Sequence, residues 1–351
     1  MKRPTPPIEW AGDHIRIIDQ TLLPAEVKFI EIRSASQAVD AIQRLAIRGA
    51  PALGAFGSLA LVVALDEIEP ESLSQARTRL EECRTLIGDA RPTAINLRWA
   101  VDRVIDQATK DGSDLTSLRS ALIREAQAVA DEDKAACDEI GRLGHELLRD
   151  ANVIGTHCNA GRLATAGSGT ALAPMYAKAQ AGEPLRVLAS ETRPLLQGAR
   201  LTAWELDDAG IDVTVVPDGA MASTVLSGQV DAYIVGADRI AANGDAANKI
   251  GTVGHALAAR EAGIPFYVAA PTSTIDFKLA SGKQIEIEQR DAVEVHEIQG
   301  SRLTPQGVDA FNPAFDVTPH HLITAIITEA GVLRPPFRDS IAEAFKQVGG
   351  S

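Results

Sequence analysis

Five short apolar runs, each separated from the next by a helix-like stretch, constrain this chain more than any other feature. They are Ala151 to Ile154, Leu185 to Ala189, Val213 to Val216, Ala232 to Val235 and Phe266 to Ala269. Between them lie Ser168 to Ala181, Leu195 to Ala209, Ala220 to Leu226 and Lys249 to Ala262. Strands alternating with helical segments predict a parallel sheet covered by helices on both faces.

The expected fold class is therefore α/β, with a Rossmann-like parallel sheet in the C-terminal part. The N-terminal part reads differently. Ile15 to Ile18 and Val27 to Ile32 form a strand pair turned by Leu22-Leu23-Pro24. Helical spacing then dominates. Ser36 can cap a first helix, and others are predicted over Pro51 to Leu65, Glu71 to Ile87, Ala94 to Gln107 and Leu115 to Leu148. With 351 residues the chain has room for about two domains. The boundary is placed inside the long helix: 1–135 as a smaller helix-rich domain with a β start, 136–351 as the Rossmann-like catalytic domain. No internal repeat or low-complexity segment is visible.

A formal charge of −13 argues against a nucleic-acid partner, which needs a basic face. Cys83, Cys137 and Cys158 are widely spaced, giving neither a disulfide framework nor a zinc site, and a reducing, cytoplasmic setting fits best. Met1 to Trp10 carries three prolines and no apolar core, unlike a signal peptide. Ala50 to Leu65, the most apolar run, is shorter than the roughly 20 residues needed to span a bilayer. It reads as a buried helix, and no membrane partner is expected.

In open parallel sheets, ligands bind just past the carboxyl ends of the strands. Those positions here are Cys158-Asn159, Ser190-Glu191-Thr192-Arg193-Pro194 with Leu195 to Gly198, Pro217-Asp218-Gly219, Gly236-Ala237-Asp238-Arg239 with Asn248-Lys249, and Pro271 to Thr274. Each alone reads as loop polarity; five together favour a site. Cys158 sits between His157 and Asn159 in a glycine-lined loop, which a packing cysteine does not need, and is a candidate nucleophile or base. Asp238 follows an apolar strand, where desolvation would raise its pKa and suit it to proton donation. The competing reading is a capping or loop aspartate. Cys83 and Cys137, within helices, read as structural.

Helix starts suggest phosphate binding. Arg48-Gly49-Ala50-Pro51 and Arg91-Pro92-Thr93 each set an arginine beside free amides at a helix N-terminus. There is no Walker A pattern, and no G-x-G-x-x-G at the first strand–helix turn, so a nucleotide cofactor is not expected. No His/Asp/Glu cluster has metal spacing along the chain, and His320-His321 reads as a surface turn.

Taken together, Ile47 to Ala52, His157 to Gly161, Glu191 to Gly198, Gly236 to Arg239 and Asn248 to Thr252 resemble methylthioribose-1-phosphate isomerases. So do Asp19-Gln20-Thr21 and Asn312 to Pro319. The resemblance runs in order over nearly the whole chain. That family shares its fold with regulatory subunits of the translation-initiation exchange factor and with ribose-1,5-bisphosphate isomerases. The resemblance implies an aldose–ketose isomerase of methionine salvage, turning 5-methylthioribose 1-phosphate into 5-methylthioribulose 1-phosphate. It implies Cys158 and Asp238 as the catalytic pair, and Arg48, Gly49, Ala50, Arg91, Gln197, Asn248 and Lys249 as substrate-binding positions. It also implies a homodimer, with no metal or organic cofactor.

The implied chemistry suits the residues. A phosphorylated anomeric oxygen prevents spontaneous ring opening, so an acid must protonate the ring oxygen while another group takes the C2 proton. Asp238 and Cys158 are the candidates. If hydride moves from C2 to C1 instead, Cys158 is supportive only. Either route is served by a water-poor pocket. A related sugar, 5-deoxyribose 1-phosphate or ribose 1,5-bisphosphate, is the alternative substrate. A non-catalytic regulatory subunit is the alternative role, and it has no need of both Cys158 and Asp238.

Overall fold

The computed structural model describes residues 6–91 and 95–348. Pro92 and Thr93, part of the second expected phosphate motif, lie outside the described residues. The chain divides into two compact units. The first gathers residues up to Asp138 together with Gly161–Gly169; the second holds Glu139–Ala160 and everything from Thr170 onward.

In the first unit, β1 (Ile8–Trp10), β2 (Ile15–Ile18) and β3 (Phe29–Ile32) form an antiparallel sheet. Helices α1 (Ala35–Gln43), α2 (Ala50–Asp66), α3 (Leu73–Leu86), α4 (Ile95–Asp111) and α5 (Leu115–Leu147) follow, and the division between units falls inside α5. The cap of α1 is Ser34, whose hydroxyl accepts the Gln37 amide at 3.1 Å; Ser36, the expected cap, lies inside the helix. Ser34 wins because its extended backbone turns the hydroxyl back over the first turn. Helix α2 has no charged residue before Asp66 and is buried from Ala52 to Leu65, as a helix apolar on every side must be. Among the described residues, no helix is long and apolar enough to cross a membrane.

The second unit is built on a seven-stranded sheet. Its strands are β4 (Val153–Thr156), β5 (Arg186–Ser190), β6 (Asp212–Val216), β7 (Ala232–Val235) and three that follow later in the chain. After β7 come β8 (Arg239–Ala241) and β9 (Ala246–Lys249), then β10 (Phe266–Ala269), β11 (Ile275–Asp276), β12 (Glu297–Ile298), β13 (Ser301–Arg302), β14 (Phe315–Thr318), β15 (Ala325–Thr328) and β16 (Gly331–Leu333). The order is β16-β15-β10-β7-β4-β5-β6, parallel except for β16. Helices α6 (Ala173–Gln180), α7 (Ala203–Asp208), α8 (Asp218–Leu226), α9 (Thr252–Ala262), α10 (Val293–His296) and α11 (Phe337–Val348) complete it.

Alternate residues of the central strands serve opposite faces. Tyr233, Val235, Phe266 and Val268 pack with Met221 of α8, Ala256 of α9 and Ile341 of α11. Ala232, Ile234, Tyr267 and Ala269 pack with Ile140 of α5, Met175 of α6 and Leu206 of α7. Gly155 of β4 stands opposite Tyr233 of β7, and a Cβ on that glycine would lie 2.4 Å from the tyrosine ring.

Two further expectations are corrected. The stretch from Lys249 to Ala262 is not one helix: Lys249 ends strand β9, and α9 starts at Thr252 after Gly251. Strands β11, β8, β9 and β14 form a second sheet, whose pairing claims Asn248 and Lys249. The helix expected from Ser168 begins only at Ala173, because Thr170 and Leu172 turn their amides onto the Ala160 carbonyl.

Candidate functional site

The order of the large sheet creates a switch point. From β4 the chain moves outward through β5 and β6, then returns to place β7 on β4's other side. Connections there leave in opposite directions, opening a crevice at the carboxyl ends of β4 and β7. Cys158 lies two residues past β4, and Asp238 three past β7. Both are half-buried. The two strand ends approach closely: a Cβ on Gly236 would sit 2.8 Å from the Cβ of Ala160.

The loops holding these groups are strained. Cys158 has φ of 62°, Thr192 67° and Leu196 59°. Left-handed backbone is costly for residues other than glycine, most of all for a β-branched threonine, and concentrates where function over-determines geometry. Here the holding contacts are visible. The carboxylate of Asp218, at the start of α8, accepts the amides of Thr192 at 2.8 Å and Arg193 at 2.6 Å. Thr192 Oγ1 in turn accepts the Cys158 amide at 2.9 Å, and the Cys158 carbonyl accepts the Thr202 hydroxyl at 2.5 Å.

Asn159 is buried and engaged by its neighbours. Its amide donates to Glu205 Oε1 at 2.7 Å, and Tyr176 donates to the other oxygen of that fully buried carboxylate at 3.0 Å. Gln197 follows the strained loop and is buried, and its Oε1 has no hydrogen-bond partner among the described residues. A buried acceptor left open this way suits a ligand hydroxyl.

Asp238 is anchored through its backbone, whose amide donates to the Ala247 carbonyl at 2.9 Å. Next to it, Arg239 donates to Asp276 at 2.5 and 3.1 Å, tying β8 to β11. Asn248 and Lys249 are both buried; the Asn248 amide donates to Thr252 Oγ1 at 3.0 Å. Lys249 Nζ donates to the Ala314 carbonyl at 2.8 Å and stands 4.6 Å over the Phe315 ring. At the start of α9, Asp316 accepts the Gly251 amide at 2.8 Å; burial pushes its carboxyl up to about 6.

Thus five expected site residues, Cys158, Gln197, Asp238, Asn248 and Lys249, belong to the second unit, on loops beyond β4, β5 and β7 or on the hairpin that follows β7. Arg48, Gly49, Ala50 and Arg91 belong to the first unit. Gly49 caps α2 with φ of 96°, and a Cβ there would fall 2.5 Å from the Ala164 carbonyl oxygen. Only glycine allows that conformation and that approach together. Arg48 is buried beside it, and Ala50 opens α2 with Pro51 in the first turn. Gln20, from the Asp19-Gln20-Thr21 motif, donates to the Leu163 carbonyl at 2.8 Å, binding the same Gly161–Gly169 segment.

Of the five strand termini, the last serves another purpose: Thr272 donates its amide at 3.0 Å to Glu329, joining the ends of β10 and β15. His320 is also engaged, its Nδ1 lying 2.7 Å from Asp245.

Chain spacing did not reveal one group. His157, His255 and Asp218 place ligand-type atoms within 4.8 Å of one another. Two backbone amides occupy the Asp218 carboxylate, and the imidazoles hydrogen-bond each other, His255 Nε2 to His157 Nδ1, at 3.2 Å. The arrangement is that of an internal hydrogen-bond network, and residue pairs 98 positions apart leave no local signal.

The Initiation factor 2 subunit family matches residues 46–335. A 5-deoxyribose 1-phosphate isomerase of Moorella thermoacetica is 50% identical over 98% of this chain and 98% of its own length. The solved structure of 5-methylthioribose 1-phosphate isomerase from Pyrococcus horikoshii is 41% identical, with a TM-score of 0.91 over 99% of this chain and 97% of that one. The structure of translation initiation factor eIF-2B subunit delta from A. fulgidus is 40% identical, with a TM-score of 0.88 over 98% of this chain and 100% of that one. Further relatives at 45–51% identity are named methylthioribose-1-phosphate isomerase. The chain belongs to the Initiation factor 2 subunit family and, within it, to the aldose–ketose isomerases.

Proposed function

We propose that this enzyme converts 5-methylthioribose 1-phosphate to 5-methylthioribulose 1-phosphate, with Cys158 and Asp238 as its catalytic pair. One observation carries the reading: a thiol and a carboxyl stand past adjacent parallel strands on either side of the switch point. A sugar ring bound across that crevice meets both.

In the proposed route, protonated Asp238 gives its proton to the ring oxygen as the C1–ring oxygen bond breaks. Cys158, as thiolate, takes the C2 proton, and the C1–C2 double bond of an enol phosphate forms. Return of a proton to C1 and loss of the O2 proton to Asp238 give the ketone and restore both groups. Asn248, Lys249 and Gln197 orient the sugar, and the resemblance assigns Arg48, Gly49, Ala50 and Arg91 to substrate binding, where an arginine and a helix N-terminus suit a phosphate.

A second substrate reading has its own support. The 50% identical Moorella thermoacetica relative is named for 5-deoxyribose 1-phosphate, which differs only in the substituent on C5. Purified protein assayed with 5-methylthioribose 1-phosphate, 5-deoxyribose 1-phosphate and ribose 1,5-bisphosphate decides among them. The highest kcat/KM is expected for the methylthio sugar; preference for either other sugar replaces the assignment. Turnover of none removes the enzyme reading altogether. Cys158→Ser and Asp238→Asn are each expected to abolish turnover, and wild-type activity in either removes that residue from the mechanism. In D2O, deuterium at C1 of the product marks the enol route, and its absence marks hydride transfer. By the same family resemblance the enzyme acts in the cytoplasm as a homodimer, which sedimentation of the purified protein tests.

A further inference from the structure

His157 joins two of the polypeptide segments that carry the second unit's site residues, those of Cys158 and of Asn248-Lys249. Its Nε2 lies 2.8 Å from the Ile250 carbonyl, one residue past Lys249. A carbonyl only accepts, so Nε2 bears the proton of the neutral ring and Nδ1 is left as an acceptor. Two hydroxyl or ring groups face Nδ1. Thr192 Oγ1 is 3.4 Å away, but its hydroxyl donates to the Ser190 carbonyl at 3.0 Å. The donor to Nδ1 is therefore His255 Nε2, at 3.2 Å.

The remaining bonds fall into one direction. His255 Nε2 also lies 3.2 Å from Ser190 Oγ. The Tyr233 hydroxyl donates to the Thr156 carbonyl at 3.1 Å, so its oxygen accepts from Ser190, also at 3.1 Å. Both branches thus start at the single Nε2–H of His255, shared between His157 Nδ1 and Ser190 Oγ, and end on backbone carbonyls, Ile250 on one side and Thr156 on the other. Thr156, His157 and Cys158 are consecutive, as are Asn248, Lys249 and Ile250.

We propose, resting on the isomerase reading above, that His157 is a positioning residue: its tautomer, set by Ile250 and His255, locks the Cys158 loop to the Asn248-Lys249 strand end. Its role is geometric and involves no proton transfer. Burial holds its imidazole down to about 4 and that of His255 down to about 3, so both rings are neutral at physiological pH. Lys249 adds to the effect on His157. A fully assigned, neutral network resists deformation, and misplacing a reacting group by an ångström costs about a hundredfold in rate.

Two variants test this. His157→Phe keeps a ring but loses both bonds; His157→Gln restores an N–H that reaches toward Ile250. Steady-state kinetics on 5-methylthioribose 1-phosphate and the iodoacetamide alkylation rate of Cys158 are measured below the melting temperature of each. His157→Phe is expected to lower kcat/KM by about tenfold or more and to change the alkylation rate by about threefold or more, with His157→Gln recovering most of both. Wild-type kinetics and alkylation in His157→Phe, or no recovery in His157→Gln, overturns the proposal. If the wild type turns over no sugar phosphate, the isomerase reading fails and the alkylation ratio alone decides the positioning role. Should His157→Phe not fold, His255→Leu removes the donor to Nδ1 and is judged by the same two measurements.

Discussion

A Cβ on Gly198 would fall 1.7 Å from the carbonyl oxygen of Ser190, so the start of the irregular helix after Gln197 rests backbone to backbone on the end of β5. Neither partner is a flexible side-chain tip, so an added methyl group must push main chain. Gly198→Ala is expected to cost about 1–3 kcal/mol of stability and, by shifting Gln197, to raise KM for the sugar phosphate. Chemical denaturation and steady-state kinetics check the two effects.

Thiol chemistry separates Cys158 from the other two cysteines. Burial pushes Cys83 up to about 11 and Cys137 up to about 12, and both are enclosed within helices, whereas Cys158 is half-buried. The thiolate is the reactive form. Native protein at pH 8 is expected to take up one iodoacetamide, on Cys158, and denatured protein three. Intact mass and peptide mapping read the count; labelling at Cys83 or Cys137 in the native state would contradict it.

Stability should depend on pH through His255. Burial, followed by the neighbouring His157, holds its folded-state pKa at about 3, against an ordinary 6.5. Between those values the unfolded chain binds the proton and the folded one does not, so this contribution to stability falls as pH drops from 6.5 toward 3. At pH 7 both states are neutral and no penalty exists. His255→Gln removes the group. The stability difference between wild type and variant is therefore expected to shift by at least about 1 kcal/mol in the variant's favour between pH 7 and pH 4.5. Urea denaturation at the two pH values measures it.

Arg239 fixes the segment that carries Asp238. Its guanidinium places two nitrogens on Asp276, with both side chains largely buried. Arg239→Gln should cost about 1.5–3 kcal/mol, the range for a hydrogen bond to a charged group, and lower kcat more than it changes KM. Thermal unfolding and kinetics of the variant test both parts; unchanged kcat would show that Asp238 is held without the pair.

The parallel strands could be read from the chain because strands buried on both faces must be apolar almost without interruption: Ala232–Val235 and Phe266–Ala269 stand where their runs stood. The positions of Asp238 and Cys158 just past strand ends were legible for the same reason, as polar residues breaking off such runs. β9 was not. Its Ala246-Ala247-Asn248-Lys249 has no strand character of its own and is made a strand by β8 and by β14, whose Asp316 pairs with Asn248. Local propensity yields there to tertiary pairing. The placement of Gly161–Gly169 with the first unit was hidden likewise, since Leu163 meets Gln20 across 143 residues. So was His255, an unremarkable helical residue until β4 brings His157 against it.

The flat contact between Gly155 and Tyr233 limits how this sheet can drift over generations. The phenol fills the space that a side chain on its cross-strand neighbour would need, and its hydroxyl is also a link in the chain of bonds behind Cys158. Enlarging position 155 requires surrendering the aromatic at 233, and with it the tie to Ser190. The two sites can change only as a pair, and any lineage that made the exchange would have to rebuild the support behind its thiol by other means.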